Sequence, residues 1–128
     1  MPIRSRFGHF ITPVEAKTAN YTLSPSDFGQ VFTNRGASAA VTFTLPDPAP
    51  QYAGAWVRFM VEADQNVTIR AVSASKLVVF NNAAATSIAF STAGERIGGG
   101  CLAVCNDNGT KWLIFVNLGT ETQTPTIA

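Results

Sequence analysis

The chain has 128 residues, of which 46% are hydrophobic and only 13% charged, with a formal net charge of +1. Soluble proteins carry about 25% charged residues, so this chain lacks the charge that normally coats a surface. Without a basic or acidic cluster, or an apolar run of about 20 residues, it is predicted to bind neither nucleic acid nor a membrane. Low surface charge favours a chain covered by other proteins, because interface cores are depleted in charged residues. The alternative is a small monomer rich in alanine, serine and threonine.

Residues 1–17 contain two prolines and show no sustained helical or strand period. The pattern predicts an extended N-terminal arm, outside any sheet, and lacks the apolar core of a secretory signal. Aromatic, apolar and arginine side chains dominate protein–protein hot spots, so the arm is a candidate contact with a partner. Its candidate contact residues are Ile3, Arg4, Arg6, Phe7, Phe10 and Ile11.

Residues 18–118 alternate short apolar and threonine-rich runs with Gly, Pro and Asn, which is typical of short strands. The clearest is VTFTL, where Val41, Phe43 and Leu45 share one face and two threonines the other. Prolines after Leu45 end this strand. Strands are predicted near 20–23, 30–34, 40–45, 54–63, 66–72, 77–80, 86–90, 100–106 and 111–118.

Two turns suggest hairpins. Asp64-Gln65 separates two strand-like runs, and Asn108-Gly109 suits a turn that needs positive φ between CLAVC and WLIFV. Residues 119–128 predict a polar C-terminal tail. The predicted fold is all-β, a compact β-sandwich or barrel of about nine short antiparallel strands with the N-terminal arm extended.

The two cysteines lie in CLAVC. On a strand, Cys101 and Cys105 would share one face with Cα atoms about 13 Å apart, beyond the ~7 Å reach of a disulfide. Free thiols are therefore expected, which fits a reducing cytoplasm.

Catalytic chemistry finds little support in the sequence. The single histidine, His9, lies in the arm, and the eight carboxylates are scattered. The cysteine spacing is poor for zinc. The run GERIGGG at 94–100 lacks the Lys-Ser/Thr ending of a phosphate loop and leads into a strand, so it predicts a turn or close backbone packing. We expect no enzyme activity, no cofactor and no metal.

The aromatic residues Tyr52, Trp56 and Trp112 could form a sugar-stacking platform, but strand aromatics more often lie in a core or an interface. Trp56 and Trp112 are therefore predicted as anchors of an oligomer interface.

The segment NYTLSPSDFGQVFTNRGASAAVTFTLP, residues 20–46, resembles the opening of a β-domain found in virion proteins of tailed bacteriophages. Later features are similar in kind: residues 54–59, NVTIRA at 66–71 and NDNGTKW at 106–112. The resemblance covers about residues 18–118 and is most specific in the first third. The insertion PDPAPQYAG and the long arm depart from the usual pattern.

The resemblance implies a head decoration (cement) protein: a homotrimer without catalytic residues, made in the host cytoplasm and bound to the outer surface of the virion head. Its partners would be the major capsid protein and itself. Trimers that bridge neighbouring capsid subunits would stabilise the shell, since several weak contacts together give slow release. No stalk of repeats precedes the domain, which favours a cement protein over a fibre module.

Two other functions remain open. A head-fibre or tail-fibre module would contact a host receptor or glycan through loops at 46–54, 81–86 and 94–100. A cellular carbohydrate-binding domain would be expected to carry a signal peptide, which this sequence does not show.

Overall fold

The computed structural model describes residues 11–128, which form two β-sheets and, within that range, no α-helix. The all-β prediction is confirmed, but the described residues form twelve strands rather than nine. The strands are β1 (Val14–Ala16), β2 (Tyr21–Thr22), β3 (Val31–Thr33), β4 (Val41–Leu45), β5 (Trp56–Met60), β6 (Val67–Ala71), β7 (Leu77–Val79), β8 (Asn82–Ala85), β9 (Ser87–Phe90), β10 (Gly100–Cys105), β11 (Trp112–Asn117) and β12 (Thr126–Ile127). Two short 3-10 helices cover Pro25–Asp27 and Pro50–Tyr52.

Both sheets are mixed, which corrects the antiparallel prediction. One sheet has the order β1-β3-β5-β10-β11-β7-β8 and the other β12-β9-β6-β4-β2. From β1 to β6 the chain changes sheet at every step, so alternate strands become parallel neighbours. For the same reason β5 and β6 do not form the hairpin predicted around Asp64-Gln65: they belong to different sheets.

The core lies between the two sheets. Phe43 on β4 of the five-stranded sheet contacts Phe59 and Phe32 of the seven-stranded sheet, with ring centroids 5.1 and 6.0 Å apart. All three rings are fully buried. The VTFTL alternation is confirmed, because Val41, Phe43 and Leu45 are buried and the two threonines between them are not.

Both ends of the described chain join the sheets. Val14–Ala16, predicted as part of a free arm, pair in parallel with β3 as the edge of the larger sheet. Thr126–Ile127 pair with β9, and Gln123 is buried, so the predicted polar tail completes the smaller sheet. Neither strand has a strong sequence signal, because each is only two or three residues long.

The predicted β10–β11 hairpin is confirmed. Gly109 has φ +71° in its turn, and the side-chain oxygen of Asn106 accepts hydrogen bonds from the backbone of Thr110 and Lys111. Cys101 and Cys105 are free and buried, on the inner face of β10 as expected.

The segment YTLSPSD, residues 21–27, forms a loop held by hydrogen bonds to its own Asp27. The Tyr21 hydroxyl and the Ser24 backbone N–H both donate to Asp27, each over 2.9 Å. Burial, helped by this hydrogen bond, raises the pKa of Tyr21 to about 12. These hydrogen bonds hold the connection between β2 and β3 in one conformation, so residues 21–27 have a structural role.

Candidate interaction surface

The outer face of the five-stranded sheet is polar. Strand registers place Thr42 beside Thr68, and Thr44 beside Thr22 and Arg70. Such a surface is satisfied by water. Contact with water explains why threonines alternate with apolar residues in these strands. This polar face can be compared with the outer face of the other sheet.

The outer face of the seven-stranded sheet is apolar. One row across neighbouring strands joins Trp56, Val104, Leu113 and Val78. The next row joins Val14, Val31, Arg58, Leu102 and Phe115. We call these two rows the apolar face. A sheet face this poor in polar groups is typical of one covered by another layer of protein.

Several side chains of the apolar face are well exposed in the single chain. Val14 is 61% exposed, Phe115 56% and Trp56 37%. Arg58 is the single ionisable residue in the two rows, and its guanidinium makes no ion pair with any residue in the described range. The face can therefore hold an apolar group beside one unpaired cation.

A shallow open cavity of about 490 Å³ lies on the apolar face near the β1 edge. It is lined by Thr12, Val31, Gly54, Trp56, Arg58, Leu102 and Val104. Its walls are chiefly apolar, and its volume is in the range of pockets that accept a small organic group.

A second exposed aromatic lies at the opposite edge of the same sheet. Val79 pairs with Asn82, so Phe80 and Asn81 form a two-residue hairpin turn with φ of +46° and +61°. Such a turn favours Asn or Gly, and a bulky residue there costs about 1–2 kcal/mol. Phe80 is nevertheless present and 56% exposed. An exposed aromatic in a strained backbone is a candidate contact residue.

Two carboxylates away from the apolar face, Asp64 and Asp47, have structural partners. Arg96 is buried and donates to Asp64 over 2.9 Å, and the backbone N–H of Gly94 donates to the same carboxylate. The hydrogen bond from Arg96 holds the pKa of Asp64 below its usual value. The hydroxyl and the backbone N–H of Ser73 both donate to Asp47, and these hydrogen bonds lower the pKa of that carboxyl. These carboxylates tie loops together across the fold.

The described residues hold no group of three His, Cys, Asp or Glu side chains that could bind a metal. The glycine-rich run 94–100 enters β10 as predicted, and Gly100 has φ +154° with its Cα pressed against the backbone of Phe59 and Met60. This is close backbone packing between β10 and β5.

The predicted contact residues fall in three places. Ile3, Arg4, Arg6, Phe7 and Phe10 lie outside the described residues, while Ile11 is described and 59% exposed. Trp56 lies on the apolar face. Trp112 is fully buried and its indole N–H donates to the Pro46 carbonyl over 2.9 Å. The interface role predicted for Trp112 does not fit this position, because the side chain has no surface to present.

The sequence analysis missed most of the apolar face. Leu102, Val104, Leu113 and Phe115 lie in CLAVC and WLIFV, which are continuously apolar instead of alternating. A continuous run indicates a strand covered on both sides, and here residues 11–128 supply only one of the two covering layers. The continuously apolar runs CLAVC and WLIFV, compared with the alternating VTFTL, were the sequence signal that could have predicted the apolar face.

No known protein family matches the chain, and no curated protein matches it. Among the described residues, no helix has the length and hydrophobicity needed to cross a membrane.

Proposed function

We propose that this protein is a bacteriophage head decoration protein, which binds the outer surface of the assembled head as a homotrimer and bridges neighbouring capsid subunits. The observation that carries the proposal is the apolar face: an outer sheet surface with a single ionisable residue suits permanent contact with protein. The resemblance of residues 20–46 to phage virion domains supplies the class of assembly.

In this proposal the outer faces of the two sheets have different surroundings. The threonine-rich outer face of the five-stranded sheet remains in water, and the apolar face is covered by protein. Because many copies bind one shell and only the assembled shell offers the sites, binding stabilises the assembled state by mass action. The residues predicted in the arm are further candidate contacts with the major capsid protein.

Immunogold electron microscopy of virions of the phage that encodes this chain tests the location. Label over the head supports the proposal, whereas label confined to the tail, or none on virions, contradicts it.

Adding purified protein back to heads that lack it tests whether the apolar face is the binding surface. Leu102→Lys, on the apolar face, should lower occupancy at least about tenfold, since burying one unpaired charge costs more than 1.4 kcal/mol. Thr68→Lys, on the other sheet, is the matched control and should bind as the parent does.

A second candidate is a head-fibre or tail-fibre module that contacts a glycan. The observation that favours it is the cavity, where the exposed Trp56 ring lies in the same lining as Arg58, an arrangement that can stack on a sugar and hydrogen-bond it. Binding on a glycan array that Trp56→Ala abolishes would support this function over decoration.

A further inference from the structure

The strained hairpin tip and the cavity are complementary features on one chain. The tip presents one exposed phenyl ring, and the cavity offers apolar walls beside the guanidinium of Arg58, which forms no ion pair within residues 11–128. A phenyl ring is far smaller than the cavity, and an arginine beside an aromatic face gains a cation–π contact.

The sequence around the tip is suited to an apolar site. From Leu77 to Gly94 the chain contains no ionisable residue. The hairpin can therefore approach an apolar surface without stripping water from a charge, a step that would oppose association.

The tip cannot fill the cavity of its own chain. Two strand spacings separate β10, the nearest strand that lines the cavity, from β7, which leads into the tip; at about 4.8 Å per spacing this is about 10 Å, and β11 lies between them. A two-residue turn is too short to fold back over Leu113 and Phe115. The tip of one chain can therefore enter only the cavity of another copy.

We propose that Phe80 of one copy inserts into the cavity beside Trp56, Arg58 and Leu102 of a second copy. This inference rests on the proposed function for its homotrimer and names the contact that builds it. Because the hairpin tip and the cavity are different surfaces toward opposite edges of the seven-stranded sheet, each copy uses both, and such a head-to-tail contact builds the homotrimer when its rotation closes a ring. The ring also explains why a bulky residue is kept in a strained turn.

Crosslinking between two single variants tests the contact directly. Phe80→Cys and Leu102→Cys are mixed and oxidised, and disulfide-linked pairs are measured on a non-reducing gel. The native cysteines are buried and give little background. We expect at least tenfold more mixed disulfide than in the control mixture of Phe80→Cys with Thr68→Cys, which lies on the other sheet. Equal yields would overturn the proposal.

The oligomeric state gives the second measurement. Sedimentation of the parent at micromolar concentration should show trimers, and Phe80→Asn should shift them to monomers, because Asn suits the turn but lacks the ring. Phe80→Tyr, which keeps the ring, should remain trimeric. A monomeric parent, or a Phe80→Asn trimer as tight as the parent, would refute the contact. Head binding by the same variants is a separate readout: if Phe80→Asn still trimerises and still binds heads, the decoration function stands and only this contact fails.

Discussion

The side chain of Asn34 pairs with the backbone of Ala63 in both directions: its amide donates to the Ala63 carbonyl over 3.0 Å, and its oxygen accepts from the Ala63 N–H over 2.9 Å. The same oxygen accepts from the Glu62 N–H. Asn34 is fully buried just after β3 and supplies the hydrogen bonds of a strand where β5 has ended.

Replacing Asn34 by alanine is expected to cost about 3 kcal/mol of unfolding free energy, because three backbone groups of Glu62 and Ala63 lose their buried side-chain partner. Urea denaturation monitored by tryptophan fluorescence measures the loss. Gln51→Ala is the control: Gln51 is exposed, and its substitution should change stability by less than about 0.5 kcal/mol. If both variants unfold at the same urea concentration, the pairing with Ala63 does not hold the loop.

Gly100→Ala should be more damaging than Gly29→Ala, although both glycines have positive φ. A Cβ at position 100 would overlap the carbonyl of Phe59 and force β10 away from β5, which we expect to cost about 3 kcal/mol or more. Gly29 has φ +80° and open space around it, so Gly29→Ala reports the backbone strain alone, about 1 kcal/mol. Thermal denaturation of the two variants gives the difference, and equal losses would contradict the close approach of the two strands.

Acid should weaken the link between Asp64 and Arg96. The pKa of Asp64 is lowered in the folded protein, so the carboxylate contributes stability that is fully present above its ordinary pKa near 4 and is lost as the pH falls through the folded value. Asp64→Asn should lower the thermal midpoint at pH 7 and flatten its decline below pH 4. Asp107→Asn, in the exposed β10–β11 turn, is the control and should keep the parent's pH profile. The prediction fails if Asp64→Asn keeps the parent's steep loss in acid.

The two thiols should resist alkylation while the protein is folded. Burial raises the pKa of Cys101 to about 12 and that of Cys105 above its usual value, and both changes disfavour the reactive thiolate. Mass spectrometry after iodoacetamide treatment should show no adduct in buffer and two adducts in denaturant. Rapid modification of the folded protein would mean that the inner face of β10 opens to solvent.

Local pattern predicted nine of the twelve strands among the described residues, the buried face of VTFTL and the β10–β11 hairpin. Each of these depends on residues adjacent in sequence: side-chain alternation along one strand, or a turn that needs Gly109. The strands β1, β8 and β12 were missed because their residues, VEA, NAAA and TI, show no alternation of large apolar and polar side chains. They become strands only when a neighbouring strand offers hydrogen bonds, as β3 does for Val14–Ala16.

The sequence by itself determined that this is a charge-poor, all-β chain with free thiols, because composition and alternation act residue by residue. The tertiary structure alone decided which strands became neighbours, and therefore that the apolar residues of CLAVC and WLIFV form one continuous outer face while the threonines face water on the other sheet. It also decided that Trp112 lies in the core and Trp56 at the surface. Both tryptophans begin a strand, and only the pairing of those strands determines which face of each is covered.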